Sequence, residues 1–177
     1  MSANPRQQAS KPRPIVNIAE VELQPRPPEY APKGPAAERF SGTRMGMIAR
    51  RIGAQKLGYS IIAIAPGKRA YPFHNHHVNE EMFYILEGAG EVRIGDAVYP
   101  VRAGDFIACP VGGKEAAHQI VNSGDTELKY LGVSTNLEPD VCEYPDSDKI
   151  GVLGSRVRFV GREKDGGQGA DAYWEGE

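Results

Sequence analysis

The chain has 177 residues, 40% of them hydrophobic, with 21 basic and 23 acidic side chains and a formal net charge of −2. That length suits one ordinary domain with a real core, and the balanced charge gives no electrostatic case for nucleic acid or an anionic membrane. No apolar run approaches the roughly 20 residues of a membrane helix, and the N-terminal MSANPRQQASKPRPIVN lacks the apolar stretch of a secretory signal, so a cytoplasmic location is expected. Cys109 and Cys142 fit no metal or redox spacing and are expected as free thiols in a reducing compartment. The 21 glycines and 14 prolines, with little helical periodicity, favour short strands joined by turns.

Residues 1–38 read as a flexible, Pro-rich N-terminal arm, with its first dozen residues disordered and one short strand over residues 15–23. Residues 39–160 carry the strand pattern. KLGYSIIAIAPG is a strand ending at Pro66-Gly67, and EEMFYILEGAG one stopped by Gly88. EVRIGDAVYPVRAGD gives two strands around Ile94-Gly95-Asp96, and DFIACPVGG one closed at Pro110. HQIVNSGD and LKYLGVST form a further pair around Ser123-Gly124-Asp125. Strands at this spacing predict an all-β sandwich or small barrel. Residues 161–177 form a C-terminal tail: GREKDGGQG reads as a flexible loop, and Tyr173-Trp174 as an aromatic pair that docks on the domain or stays mobile.

PFHNHHVNEE, residues 72–81, holds three of the four histidines and two adjacent glutamates. His74 and His76 are two apart, so on a strand both imidazoles project to one face, while His77 turns away. Glu80 and Glu81 face opposite sides, and alternation alone does not choose between them, because the turn after His77 resets the register. The face that begins at Glu81 continues with Phe83 and Ile85. His118 opens the later strand HQIVN and meets the others if the sheet curls on itself. Three imidazoles and a carboxylate make an N₃O set that suits one Mn, Fe, Zn, Ni or Co ion, with positions left for water or substrate. Single histidines beside turns would be unremarkable; all four falling in two segments are not.

These segments resemble the cupin superfamily, in the small single-domain conserved-barrel form. Its first motif, G(X)5HXH(X)3,4E(X)6G, is similar to the run from Gly67 through His74-Asn75-His76 and Glu81 to Gly88, and the spacing to Gly88 selects Glu81 over Glu80. Its second motif, G(X)5PXG(X)2H(X)3N, is similar to the run from Gly104 through Pro110-Val111-Gly112 and His118 to Asn122. The chain departs in two places: six residues separate Gly67 from His74, and five separate Gly112 from His118. The resemblance covers about residues 57–135. It implies a cupin β-barrel of the jelly-roll kind, with a metal inside one end held by His74, His76, Glu81 and His118, and a homodimer whose N-terminal strand covers a sheet edge.

Fold alone does not give function. The leading expectation is a metal-dependent enzyme acting on a small organic molecule, as a dioxygenase, isomerase or decarboxylase. Phe83, Ile85, Ile107 and Ile120 then line a pocket or simply form core, and Tyr59 and Arg93 are polar contacts or surface. No general base stands out beyond the ligands, which favours oxygenase or Lewis-acid chemistry over proton shuttling and leaves the catalytic residues unassigned. The alternative is a non-catalytic module that binds or senses a sugar or organic acid. A storage role fits poorly with one barrel, and no helix-turn-helix, phosphate-binding glycine loop, G-x-S-x-G or HExxH motif is present.

Overall fold

The computed structural model describes residues 13–162 and 170–177; the first dozen residues and most of the GREKDGGQG loop, both expected to be flexible, lie outside them. In chain order the strands are β1 (Gln24–Pro25), β2 (Thr43–Met47), β3 (Leu57–Ile64), β4 (Asn75–His76), β5 (Glu81–Glu87), β6 (Ala89–Ile94), β7 (Ala97–Arg102), β8 (Phe106–Cys109), β9 (His118–Val121), β10 (Leu128–Thr135), β11 (Asp140–Tyr144), β12 (Lys149–Leu153) and β13 (Arg158–Gly161). Short helices α1 (Pro35–Phe40) and α2 (Ala170–Trp174) flank them. No helix among the described residues is long and apolar enough to cross a membrane.

The pairings are antiparallel. One layer of the sandwich is the sheet β1-β2-β3-β10-β5-β8. The other joins β13-β12-β11-β4 to β7-β6-β9 through a bridge between His74 and His118. Alternation along β5 buries Phe83 and Ile85, and along β10 Leu128 and Tyr130. These meet Val92, Val101 and Ile120 of the second layer in one apolar core. β5 ends at Gly88, whose φ of 81° and close approach to the carbonyl of Glu127 leave no room for a side chain.

Two local expectations are corrected. Residues 15–23 do not form a strand: Ile18–Glu20 is a 3-10 turn capped by Asn17, whose Oδ1 accepts from the Ala19 N–H at 2.9 Å. Only Gln24–Pro25 pairs, against Arg44 and Met45 of β2, because Pro25, Pro27 and Pro28 remove the donors a longer ladder needs. β9 and β10 do not form a hairpin either. β9 pairs with β6, whereas β10 lies between β3 and β5, so Ser123-Gly124-Asp125 is part of a crossing between layers. Asn122 fixes that crossing: its Nδ2 donates to the carbonyls of Ile64 and Thr126, both at 2.8 Å, and its Oδ1 accepts from the Gly124 N–H.

The ends of the fold meet. Trp174 is buried, packs tilted against Phe40 with ring centroids 5.2 Å apart, and donates its indole N–H to the carbonyl of Tyr30 at 3.1 Å. Arg26 lies over the rings of Tyr71 and Trp174, so the aromatic pair of α2 docks on the described part of the arm.

Candidate metal centre

In the His74–His118 bridge each backbone N–H donates to the other's carbonyl, at 3.2 and 2.7 Å. That backbone contact sets the two rings 4.8 Å apart, with the His76 ring 5.0 Å from that of His74. β5 supplies the acid from the opposite layer. Its first residue, Glu81, turns inward on the same side as Phe83, whereas Glu80 is exposed and uses its backbone N–H on Thr135 Oγ1. Glu81 Oε2 lies 3.0 Å from His118 Nε2, 3.4 Å from His76 Nε2 and 4.0 Å from His74 Nε2. The structure therefore brings together the four residues singled out in the sequence. His77 stays outside the group and pairs with Glu143 at 3.0 Å.

The outer nitrogen of each ring is occupied. His74 Nδ1 faces the carbonyl of Pro72 at 2.8 Å, His118 Nδ1 that of Ala116 at 3.3 Å, and His76 Nδ1 the carboxylate of Asp140 at 2.5 Å. Carbonyl and carboxylate oxygens only accept, so each Nδ1 carries a proton and each Nε2 is the atom turned toward Glu81. His76 Nε2 is buried and has no well-aligned hydrogen bond; its nearest polar neighbour is the Glu81 carboxylate at 3.4 Å.

The charges of His74 and Glu81 point the same way, whereas His76 favours a proton that a metal ion would displace. Burial and the neighbouring rings of His118 and His76 push His74 down to about 3, so it is neutral. Burial acts to raise Glu81, yet His118 and His76 hold it below the usual carboxylate range. His76 is drawn upward, against its burial, by Cys142 and Glu81 beside its ring. An ionised carboxylate among convergent Nε2 atoms thus attracts positive charge. Bonds of about 2.1 Å to a common ion place neighbouring ligand atoms about 3.0–3.5 Å apart, close to the two shorter distances here. His74, Glu81 and His118 offer ligand atoms within 4.8 Å of one another, and His76 Nε2 approaches the same carboxylate at 3.4 Å, a donor set whose chemistry suits a divalent cation.

Asp140 and Cys142 were missed in the sequence. Both lie on β11, two apart and buried, with Cys142 Sγ 3.2 Å from His76 Nδ1. His76, Asp140 and Cys142 form a second group with metal-ligand chemistry. Burial raises the Cys142 thiol, which stays protonated and faces Asp140 at 3.7 Å, so this group supports His76 from behind. Asp140 also accepts from the Val78 N–H at 3.2 Å. The sequence signal was only D-x-C on a strand, and nothing local says that β11 pairs with β4.

A cleft of ≈ 500 Å³ opens onto His76 and Glu81, between the β10–β11 connection and the start of β13. Its walls are largely polar. Phe83, Ile85, Ile107 and Ile120 belong to the buried core. Arg93 is structural: it pairs with Asp146 at 2.7 Å and covers the Phe73 ring. Tyr59 is half-buried on β3, outside the cleft lining, and Cys109 is buried in the core.

The cupin domain family matches residues 60–134, the segment that carries β5 and all but one of the strands around the centre. This chain is a cupin. The curated relatives include the uncharacterized protein MJ1618 of Methanocaldococcus jannaschii, 34% identical over 83 residues; the match covers 47% of this chain and 57% of that protein. The cupin chain thus spans little more than half the length of that relative. Among solved structures, a candidate sugar phosphate isomerase from Acidithiobacillus ferrooxidans is 30% identical with a TM-score of 0.63, over 69% of this chain and 78% of that one. A cupin-superfamily sugar phosphate isomerase from Silicibacter pomeroyi, 21% identical with a TM-score of 0.76 over 90% and 99% of the two chains, shares the fold.

Proposed function

We propose that this cupin is a metal-dependent enzyme that uses His74, His76, Glu81 and His118 to hold one divalent ion and acts on a small hydroxylated or carbonyl compound. The observation that carries the reading is the buried Nε2 of His76, without a well-aligned hydrogen bond, beside an ionised Glu81. When bound, such an ion would serve as a Lewis acid toward a substrate oxygen. The chain's own residues prepare that role. Asp140 holds the Nδ1 proton of His76, and Pro72 and Ala116 do the same for His74 and His118. Phe83 packs against the ring of His118 and closes the floor to water from the core side.

Lewis-acid chemistry is favoured over oxygenase chemistry because amide, hydroxyl, carboxylate and guanidinium groups outnumber the apolar side chains of Leu137 and Leu153 around the cleft. The 30%-identical relative, a candidate sugar phosphate isomerase, supports a polyhydroxylated substrate. Untagged protein analysed for metals is expected to carry close to one divalent ion per chain. It is also expected to convert a hydroxy-carbonyl compound without oxygen uptake, in a chelator-sensitive way. Metal far below one per chain refutes the centre, oxygen uptake moves the protein to the oxygenases, and metal without turnover makes it a binding module.

A further inference from the structure

The polar side chains around the cleft divide by what they already do. Asn79 is fully engaged: its Nδ2 donates to the carbonyl of Leu137, and its Oδ1 accepts from Thr135 Oγ1 and the Leu137 N–H. Arg50, from the 3-10 turn Ala49–Ile52, and Arg158, at the head of β13, line the same cleft as His76 and Glu81. Neither guanidinium has a hydrogen bond or ion pair among the described residues. Arg51, next along the turn, lies outside the cleft and donates to the carbonyl of Glu20 at 3.2 Å. Glu138 lies on the same rim: its carboxylate accepts from the Ser155 N–H at 2.8 Å and is held down by that bond and, more weakly, by the charge of Arg50, without a direct hydrogen bond to either arginine.

The geometry points to an oxyanion clamp: Arg50 and Arg158 hold the phosphate of a small phosphorylated polyol or hydroxy-carbonyl compound at the cleft mouth, with the rest of the molecule reaching toward the floor. The orientation rests on the reading of the floor as a metal centre; the clamp itself does not. Guanidinium groups match phosphate oxygens in a two-pronged way that an ammonium cannot. Two of them balance the charge of about −2 on a phosphomonoester, whereas a single carboxylate would leave one unmatched. The volume of ≈ 500 Å³ lies within the range of small-ligand sites. Ser134 and Asn136, also on the wall, have no hydrogen bond from their side chains among the described residues and are placed to meet the hydroxyls of such a molecule.

The test is calorimetric titration of the full chain, as purified and again after chelation, with ribose 5-phosphate, ribose and ribonate. Ribose 5-phosphate is expected to bind in both states, and the other two at least tenfold more weakly. Arg50→Ala and Arg158→Ala should each weaken the phosphorylated sugar by about tenfold or more, while Arg51→Ala leaves it unchanged. Both arginines are exposed and make no side-chain hydrogen bond among the described residues, so truncation leaves the fold intact. Equal binding of ribose, equal or tighter binding of ribonate, or unchanged affinity in both cleft variants overturns the proposal. Binding confined to the metal-loaded protein overturns it as well, since the phosphate would then sit on the ion. If the clamp binds while the purified chain holds no metal, the metal reading fails and the clamp stands.

Discussion

Two buried polar clusters in this cupin look alike in composition and differ in their hydrogen bonding. Lys149, 1% exposed, pairs with Glu177 at 2.9 Å and donates to the carbonyls of Tyr173 and Glu175 at 2.7 and 2.8 Å. Ser147 donates to the same Glu177. Every proton on that ammonium has an acceptor, so the cluster is complete and its work is to hold α2 against β12. The histidine floor is incomplete: ring nitrogens converge on one carboxylate oxygen and His76 Nε2 has no well-aligned hydrogen bond. Satisfied buried charge marks a structural tie, and unsatisfied convergent donor atoms mark a site.

The comparison breaks most sharply under substitution on each side. His76→Ala is expected to remove stoichiometric metal altogether, measured by elemental analysis. It should also abolish the thermal stabilisation that added metal gives the parent, about 2.7 kcal/mol at a hundredfold excess over Kd. Retained metal would show that the ligands are other residues. Lys149→Met should do the reverse. It strands Glu177 in a buried position and lowers unfolding free energy by about 3–5 kcal/mol, read from denaturant midpoints, while each folded chain keeps its metal. If Lys149→Met strips the metal without loss of stability, the two clusters are not separable in the way their hydrogen bonds indicate.

A smaller effect is expected from Asp140→Asn, which probes the support behind the floor. One oxygen of Asp140 accepts from Val78 N–H and the other from His76 Nδ1. An asparagine that keeps the Val78 bond must turn its amide N–H₂ toward His76. Nδ1 then has to accept, and the ring proton moves to Nε2, the atom that faces Glu81. Metal affinity should fall about 10–100-fold with little change in stability. Unchanged affinity would mean that Asp140 does not set the tautomer.

These residues also mark what was legible in the sequence. His74, His76 and Glu81 lie within one short segment, and strand alternation with two-motif spacing places them with His118 on one inner face. Core positions such as Phe83 and Ile85 follow from the same alternation. Asp140, Cys142, Arg50 and Arg158 reach the site from outside that segment, through the pairing of β11 with β4 and the turn before β3. Pairing between strands more than sixty residues apart is set by the whole fold and leaves no local trace. The same reason explains the misread hairpin at residues 123–125, where a turn signal is present but the chain changes layers.

The smallest expected effect is at Glu80, and it sharpens the choice between adjacent acids. Its carbonyl accepts from the Thr135 N–H at 3.0 Å and its N–H donates to Thr135 Oγ1. The residue therefore contributes its backbone, which alanine supplies equally well. Its side chain is exposed on the face opposite Glu81. Glu80→Ala should leave metal content unchanged and stability within about 0.5 kcal/mol of the parent, while Glu81→Gln loses the charge on which the floor depends. Loss of metal in Glu80→Ala with retention in Glu81→Gln would mean that β5 is one residue out of register, which would also turn Phe83 and Ile85 out of the core they fill.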